Sequence, residues 1–165
     1  MENNNSFANA DIVLKEKPEV AVLTSGISMR PMLREHRDVV IIERVNRPLK
    51  VNDVPLYRRQ GLSSLVLHRI IKIRRDGGYV IRGDNLLVNE YDVKDEDIVG
   101  VLKAFYRDGK YYDCAKSIPY KIYIFFNRAT YGYRVFRRKY LSKVLKRLPF
   151  LGKAKRAVIG FFKKK

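Results

Sequence analysis

Leu65-Val66-Leu67-His68-Arg69-Ile70-Ile71-Lys72-Ile73, a turn at Asp76-Gly77-Gly78, then Tyr79-Val80-Ile81-Arg82: this stretch decides the fold class. Its β-branched residues, closed by a Gly-Gly hairpin signal, read as two antiparallel strands, the first predicted over residues 64–74. Working outward, residues 20–24, 38–44, 54–58 and 98–107 have the same character, and Asp108-Gly109 before Lys110-Tyr111-Tyr112 signals another hairpin. Residues 92–97 are acidic and short, a turn or a single helical turn. The expectation is a mainly β protein, a small folded-over sheet or barrel.

The pattern changes at Pro119. Phe136, Tyr140, Leu141, Val144, Leu145 and Leu148 recur at helical spacing with basic residues between them. Pro149 ends that segment, and a second places Phe150, Leu151, Ala154, Val158, Phe161 and Phe162 against more lysine and arginine. Residues 120–126 are aromatic and apolar but too short to cross a bilayer. Of the net charge of +18, nearly all lies in this region: residues 116–165 hold 16 Lys or Arg and no Asp or Glu. The first 115 residues carry 19 basic and 17 acidic side chains. The expected organisation is a polar arm (1–18), a β domain (19–116) and a basic, amphipathic α-helical C-terminal extension (117–165).

Such asymmetry points to an anionic surface. A membrane interface is the first expectation for residues 117–165, since aromatic rings beside lysines suit the headgroup boundary. Nucleic acid is the second, because Arg and Tyr interleave over residues 131–140, although no recognised nucleic-acid module accompanies them. Packing on the β domain or an acidic peptide partner is the third. Residues 1–19 lack an apolar signal core, and no run of about 18 apolar residues occurs, so the expected location is the cytoplasm, peripheral on the inner membrane face. The single cysteine, Cys114, excludes an intramolecular disulfide and a thiolate metal cluster, and no cofactor or metal is expected.

Chemistry enters at Thr24-Ser25-Gly26-Ile27-Ser28-Met29-Arg30-Pro31. A serine hydroxyl is a weak nucleophile until a base takes its proton, and an imidazole titrates in the useful range without much tuning. Ser28 follows Gly26, which reaches backbone conformations closed to other residues, and Pro31 stiffens the chain beyond. His68 is the candidate base. Alternation puts it on one strand face with Val66, Ile70 and Lys72, and Lys72 is a rival base that would need a much lowered pKa. The N–H of Ser28, helped by the hydroxyl of Ser25 or Thr24, is placed to meet an oxyanion. A lone serine in a turn and a lone histidine in a strand are more often structural than reactive. His36 lies in a polar turn and is expected at the surface.

Around this pair, five boxes occur in a fixed order. Gly26-Ile27-Ser28-Met29-Arg30-Pro31 resembles the nucleophile box of the signal peptidase I and LexA-type serine peptidase superfamily. Asn52-Asp53-Val54-Pro55-Leu56-Tyr57-Arg58 resembles the strand before the base, and Leu67-His68-Arg69-Ile70-Ile71-Lys72 the base-bearing strand. Arg82-Gly83-Asp84-Asn85 and Ile98-Val99-Gly100 resemble the two boxes that follow. With histidine where most bacterial members have lysine, the chain resembles the endoplasmic-reticulum and archaeal type. The resemblance implies Ser28 as nucleophile, His68 as general base and Asp84 as supporting acid, with Glu90 or Asp92 as a second acid. It further implies a serine-type endopeptidase that carries out limited proteolysis of a peptide precursor or leader. LexA-like self-cleavage fits less well, since residues 1–19 leave no room for a DNA-binding helix-turn-helix. The competing class is a non-catalytic binding protein, for membrane surface or nucleic acid, on a peptidase-like scaffold.

Overall fold

The computed structural model describes Phe7, residues 9–59 and residues 65–141. The start of the strand expected at residue 64 and the helical positions expected beyond residue 141 lie outside these residues. Alternating sequence becomes alternating burial in β2 (Val39–Glu43), where Val40 and Ile42 are fully buried and their neighbours half-exposed. It pairs antiparallel with β1 (Glu19–Leu23) on one side and β8 (Ile98–Arg107) on the other. β3 (Pro55–Arg58) lies on β8 and carries β4 (Leu65–Leu67), giving the order β1-β2-β8-β3-β4, with β9 (Lys110–Asp113) also on β8. β5 (Arg69–Ile73), β6 (Tyr79–Arg82) and β7 (Glu90–Val93) form a separate three-stranded sheet. The mainly β expectation holds, and the larger sheet curls into a half-barrel.

Irregular register between Ile41 and Ile42 and between Leu56 and Tyr57 interrupts the ladders against β8, and such bulges bend strands. The bend brings elements close at Gly100. A Cβ there would stand 2.7 Å from Ile42 Cγ2 and 3.0 Å from Leu14 Cδ1, so only glycine fits. Leu14 belongs to α1 (Ala10–Glu16), which forms inside the segment expected as a polar arm. Its Ala10 and Leu14, four residues apart, turn one face into the core.

The expected single strand over 64–74 is two strands. β4 pairs in one sheet and β5 in the other, and His68 is the residue between them. Val66 and Ile70 pack with a core cluster around Tyr57 and Ile81, whereas Leu65 and Leu67 pack with the larger cluster around Val40, Ile42 and Phe105. One short stretch therefore borders both cores. β7 was not legible as a strand, while the expected helical turn appears at Asp95–Asp97.

Two compact units divide the chain, one ending at Ile124 and the other beginning at Phe125. The boundary falls later than the expected 116/117 because Tyr120, in α2 (Ile118–Ala129), is a core residue of the first unit. In the second unit, α3 (Tyr131–Phe136) continues into a wider helical turn over Arg137–Leu141. Among the described residues no helix is long and apolar enough to cross a membrane.

Candidate active site

His68 is 3% exposed, and its two ring nitrogens face different surroundings. Nδ1 lies 3.1 Å from Glu90 Oε1 and 3.2 Å from the Tyr57 hydroxyl oxygen. That hydroxyl donates to Glu90 Oε2 at 3.0 Å. With the Tyr57 proton committed to Glu90, the Nδ1 contacts are satisfied when Nδ1 carries the proton. The neutral ring then keeps its lone pair on Nε2. Nε2 is buried and has no hydrogen-bond partner among the described residues. A polar atom held dry and unpaired costs stability, so its survival in a packed site is informative.

Glu90 also meets Arg59 Nε at 3.1 Å. Burial works to raise its pKa, but hydrogen bonds from His68 and Tyr57 and the nearby Arg59 charge hold it below the ordinary carboxylate value. Glu90 is thus a carboxylate aimed at the back of the imidazole. Burial, joined by the Glu90 charge, pushes the Tyr57 phenol far above its usual range, so it serves as a neutral donor.

Ser28 sits in the loop after β1. Gly26 has φ +79°, the left-handed conformation expected of it, and its N–H donates to Glu35 Oε1 at 3.0 Å. Two further bonds come from the Gly83-Asp84-Asn85 box: the Asn85 N–H donates to the Ser28 carbonyl at 2.8 Å, and the Asn85 side-chain amide to the Ile27 carbonyl at 3.1 Å. Gly83 fills the space between the Ser28 loop and His68. A Cβ on it would lie 2.7 Å from the Ser28 carbonyl oxygen and 3.0 Å from His68 Nε2. Those two atoms are therefore separated by no more than the sum of the two distances. Ser28 is half-buried, and neither its hydroxyl nor its N–H makes a hydrogen bond among the described residues. The Ser28–His68 hydrogen bond itself is not formed. Serine has a single χ1 with three staggered wells, and catalytic bonds of this type commonly close only around substrate.

The other expected residues fall into distinct places. Ser25 lines the cleft beside Ser28, half-buried, with its hydroxyl uncommitted among the described residues. Thr24 lines it too, but its hydroxyl faces the carbonyls of Arg34 (2.7 Å) and Asp38 (2.9 Å), which ties the loop down and leaves no proton for an oxyanion. The carboxylate on His68 Nδ1 is Glu90, not Asp84. Asp84 forms a two-pronged bond with Arg69, 2.8 Å from Nε and 2.7 Å from Nη2, and accepts from the Tyr123 hydroxyl at 3.0 Å. Asp92, two residues past Glu90 on β7, is exposed, as is the rival base Lys72. His36 is exposed as expected, and burial pushes the Cys114 thiol up to about 12, which leaves it inert.

A cleft of about 190 Å³ opens beside Ser28, lined by Thr24, Ser25, Met29, Leu33, Leu65 and Leu67 among others. β4 forms its far wall and ends the sheet order, so its outer edge is unpaired within that sheet. Two site residues were missed in the sequence. Tyr57 has only a strand role in the sequence pattern, although a tyrosine on the strand paired with Val66 is a natural neighbour of residue 68. Arg69 has no role assigned from sequence, and its place in an apolar strand is the available signal. No protein-family model matches this chain.

Proposed function

We propose that the chain is a serine endopeptidase that performs limited proteolysis of a peptide precursor or leader, with Ser28 as nucleophile and His68 as base. The observation that carries this reading is that Gly83 lets the Ser28 loop approach a buried His68 Nε2 that has no hydrogen-bond partner among the described residues, while Glu90 holds the opposite nitrogen. A structural histidine has both nitrogens satisfied; a general base needs one free and one fixed.

The substrate lies extended along the outer edge of β4, unpaired among the described residues of its sheet, its backbone adding a strand and its apolar side chain entering the cleft. The resemblance to signal peptidases implies a small side chain before the cut. His68 Nε2 takes the Ser28 proton as Oγ attacks the carbonyl carbon. The oxyanion meets the Ser28 N–H and the Ser25 hydroxyl. The tetrahedral adduct collapses, the amine leaves with the proton from Nε2, and an acyl ester remains on Ser28. Water, losing its proton to His68, then hydrolyses that ester. Glu90 keeps the ring in the required tautomer and stabilises the imidazolium.

A serine-reactive phosphonate probe and a library of leader-like peptides test this. Wild type is expected to label and to cut, and Ser28→Ala to do neither while remaining folded. A folded wild-type protein that neither labels nor cuts refutes the peptidase reading in favour of a binding protein on this scaffold.

A further inference from the structure

α2 is apolar on both of its faces. At 3.6 residues per turn, Tyr120, Tyr123, Ile124 and Asn127 share one side. All four are buried or half-buried, and the first two carry the bonds to Arg69 and Asp84. Ile118, Ile122, Phe125, Phe126 and Ala129 fall within an arc of about 100° on the other side. The four large side chains there are 68%, 52%, 67% and 58% exposed. Lys121 and Arg128 border this stripe. In α3 and the turn after it, Tyr133, Phe136 and Tyr140 are exposed as well, amid Arg137, Arg138 and Lys139.

Isolated apolar side chains at a surface need no explanation, but a helical stripe of two isoleucines and two phenylalanines does. Charge identifies the occupant. From residue 116 onward the chain has 16 cations and no anion, so the partner is negatively charged and also accepts aliphatic groups. Nucleic acid meets the first condition and offers rings for stacking to phenylalanine, but it has no place for Ile118 and Ile122. An anionic bilayer meets both, with headgroups for the cations and an acyl boundary for the stripe. We infer that the outer face of α2 docks the protein on an anionic lipid surface, with the stripe inserted and Lys121 and Arg128 at the headgroups. This goes beyond the peptidase reading and does not depend on it.

Truncation at residue 116 is a poor test, because it removes Tyr120 from the core and Tyr123 from Asp84. The combined variant Ile122→Ser/Phe125→Ser/Phe126→Ser changes only exposed positions. In sedimentation with vesicles, the full chain is expected to bind phosphatidylcholine containing about 30 mol% phosphatidylglycerol, and not phosphatidylcholine alone. Raising salt from about 0.1 to about 0.5 M is expected to weaken binding roughly tenfold or more. The triple variant, with unchanged thermal unfolding, is expected to lose at least about tenfold in partitioning. The chain has no tryptophan, so Phe126→Trp reports insertion directly, as a blue shift on anionic vesicles only. Absence of vesicle binding overturns the inference. So does equal binding by the triple variant, or an oligonucleotide that strips the protein from vesicles and binds the triple variant as tightly as wild type.

Discussion

His68 and Arg69 are neighbours in sequence, equally buried, and each is matched to a carboxylate, yet the two clusters differ in kind. Arg69 is saturated. Its guanidinium meets Asp84 twice, the Asn52 carbonyl at 2.9 Å and the Tyr120 hydroxyl at 3.0 Å. Burial opposes its charge, but the Asp84 carboxylate keeps it protonated at any ordinary pH. His68 is half-satisfied: Glu90 and Tyr57 hold Nδ1, and Nε2 has no hydrogen-bond partner among the described residues. Consecutive residues point to opposite sides of an extended chain, so one dipeptide supplies the proposed base on one side and a brace on the other. The comparison teaches that burial and an acidic partner do not tell the two groups apart; the unfilled valence on Nε2 does.

Variants can break this contrast. Asp84→Asn leaves a buried guanidinium charge uncompensated and is expected to cost about 3–5 kcal/mol in a denaturant titration. The molecules that remain folded should still label at Ser28. If Asp84→Asn is stable but unreactive, Asp84 belongs to the chemistry and the division fails. Glu90→Gln should do the reverse, slowing labelling roughly 10²-fold with a smaller change in stability. Its pH behaviour gives a second readout. Glu90 titrates below the ordinary 4.5, so its contribution to stability is complete above that pH and fades as pH falls through the lower folded value. Glu90→Gln is expected to flatten that acid limb in thermal unfolding measured against pH. The smallest effect belongs to Tyr123→Phe, which removes one hydroxyl from Asp84 and should cost about 1 kcal/mol with reactivity intact.

The sequence carried most of the sheet, because β2, β6 and β8 are β-branched runs bounded by turns. It hid β7, since Glu90-Tyr91-Asp92-Val93 is polar and turns mostly to solvent. α1 was hidden for another reason: seven residues with two core contacts give too little periodicity. The helical pattern of α2 was obscured because tyrosines on the buried side and phenylalanines on the exposed side erase the polar face that marks amphipathicity. In the site, Ser28, His68 and Gly26 were legible from residue type and order. The choice among Asp84, Glu90 and Asp92 was not. It depends on where β7 is laid against β6, with Glu90 opposite Ile81, and that pairing is long-range information absent from local pattern.

The most direct test of the account is the rate at which a phosphonate probe modifies Ser28 when the base is removed. His68→Ala opens a cavity at Nε2, and labelling is expected to fall by about 10³-fold, with partial recovery on adding imidazole. A rate equal to wild type in the folded His68→Ala protein would contradict the assignment of His68 as the base.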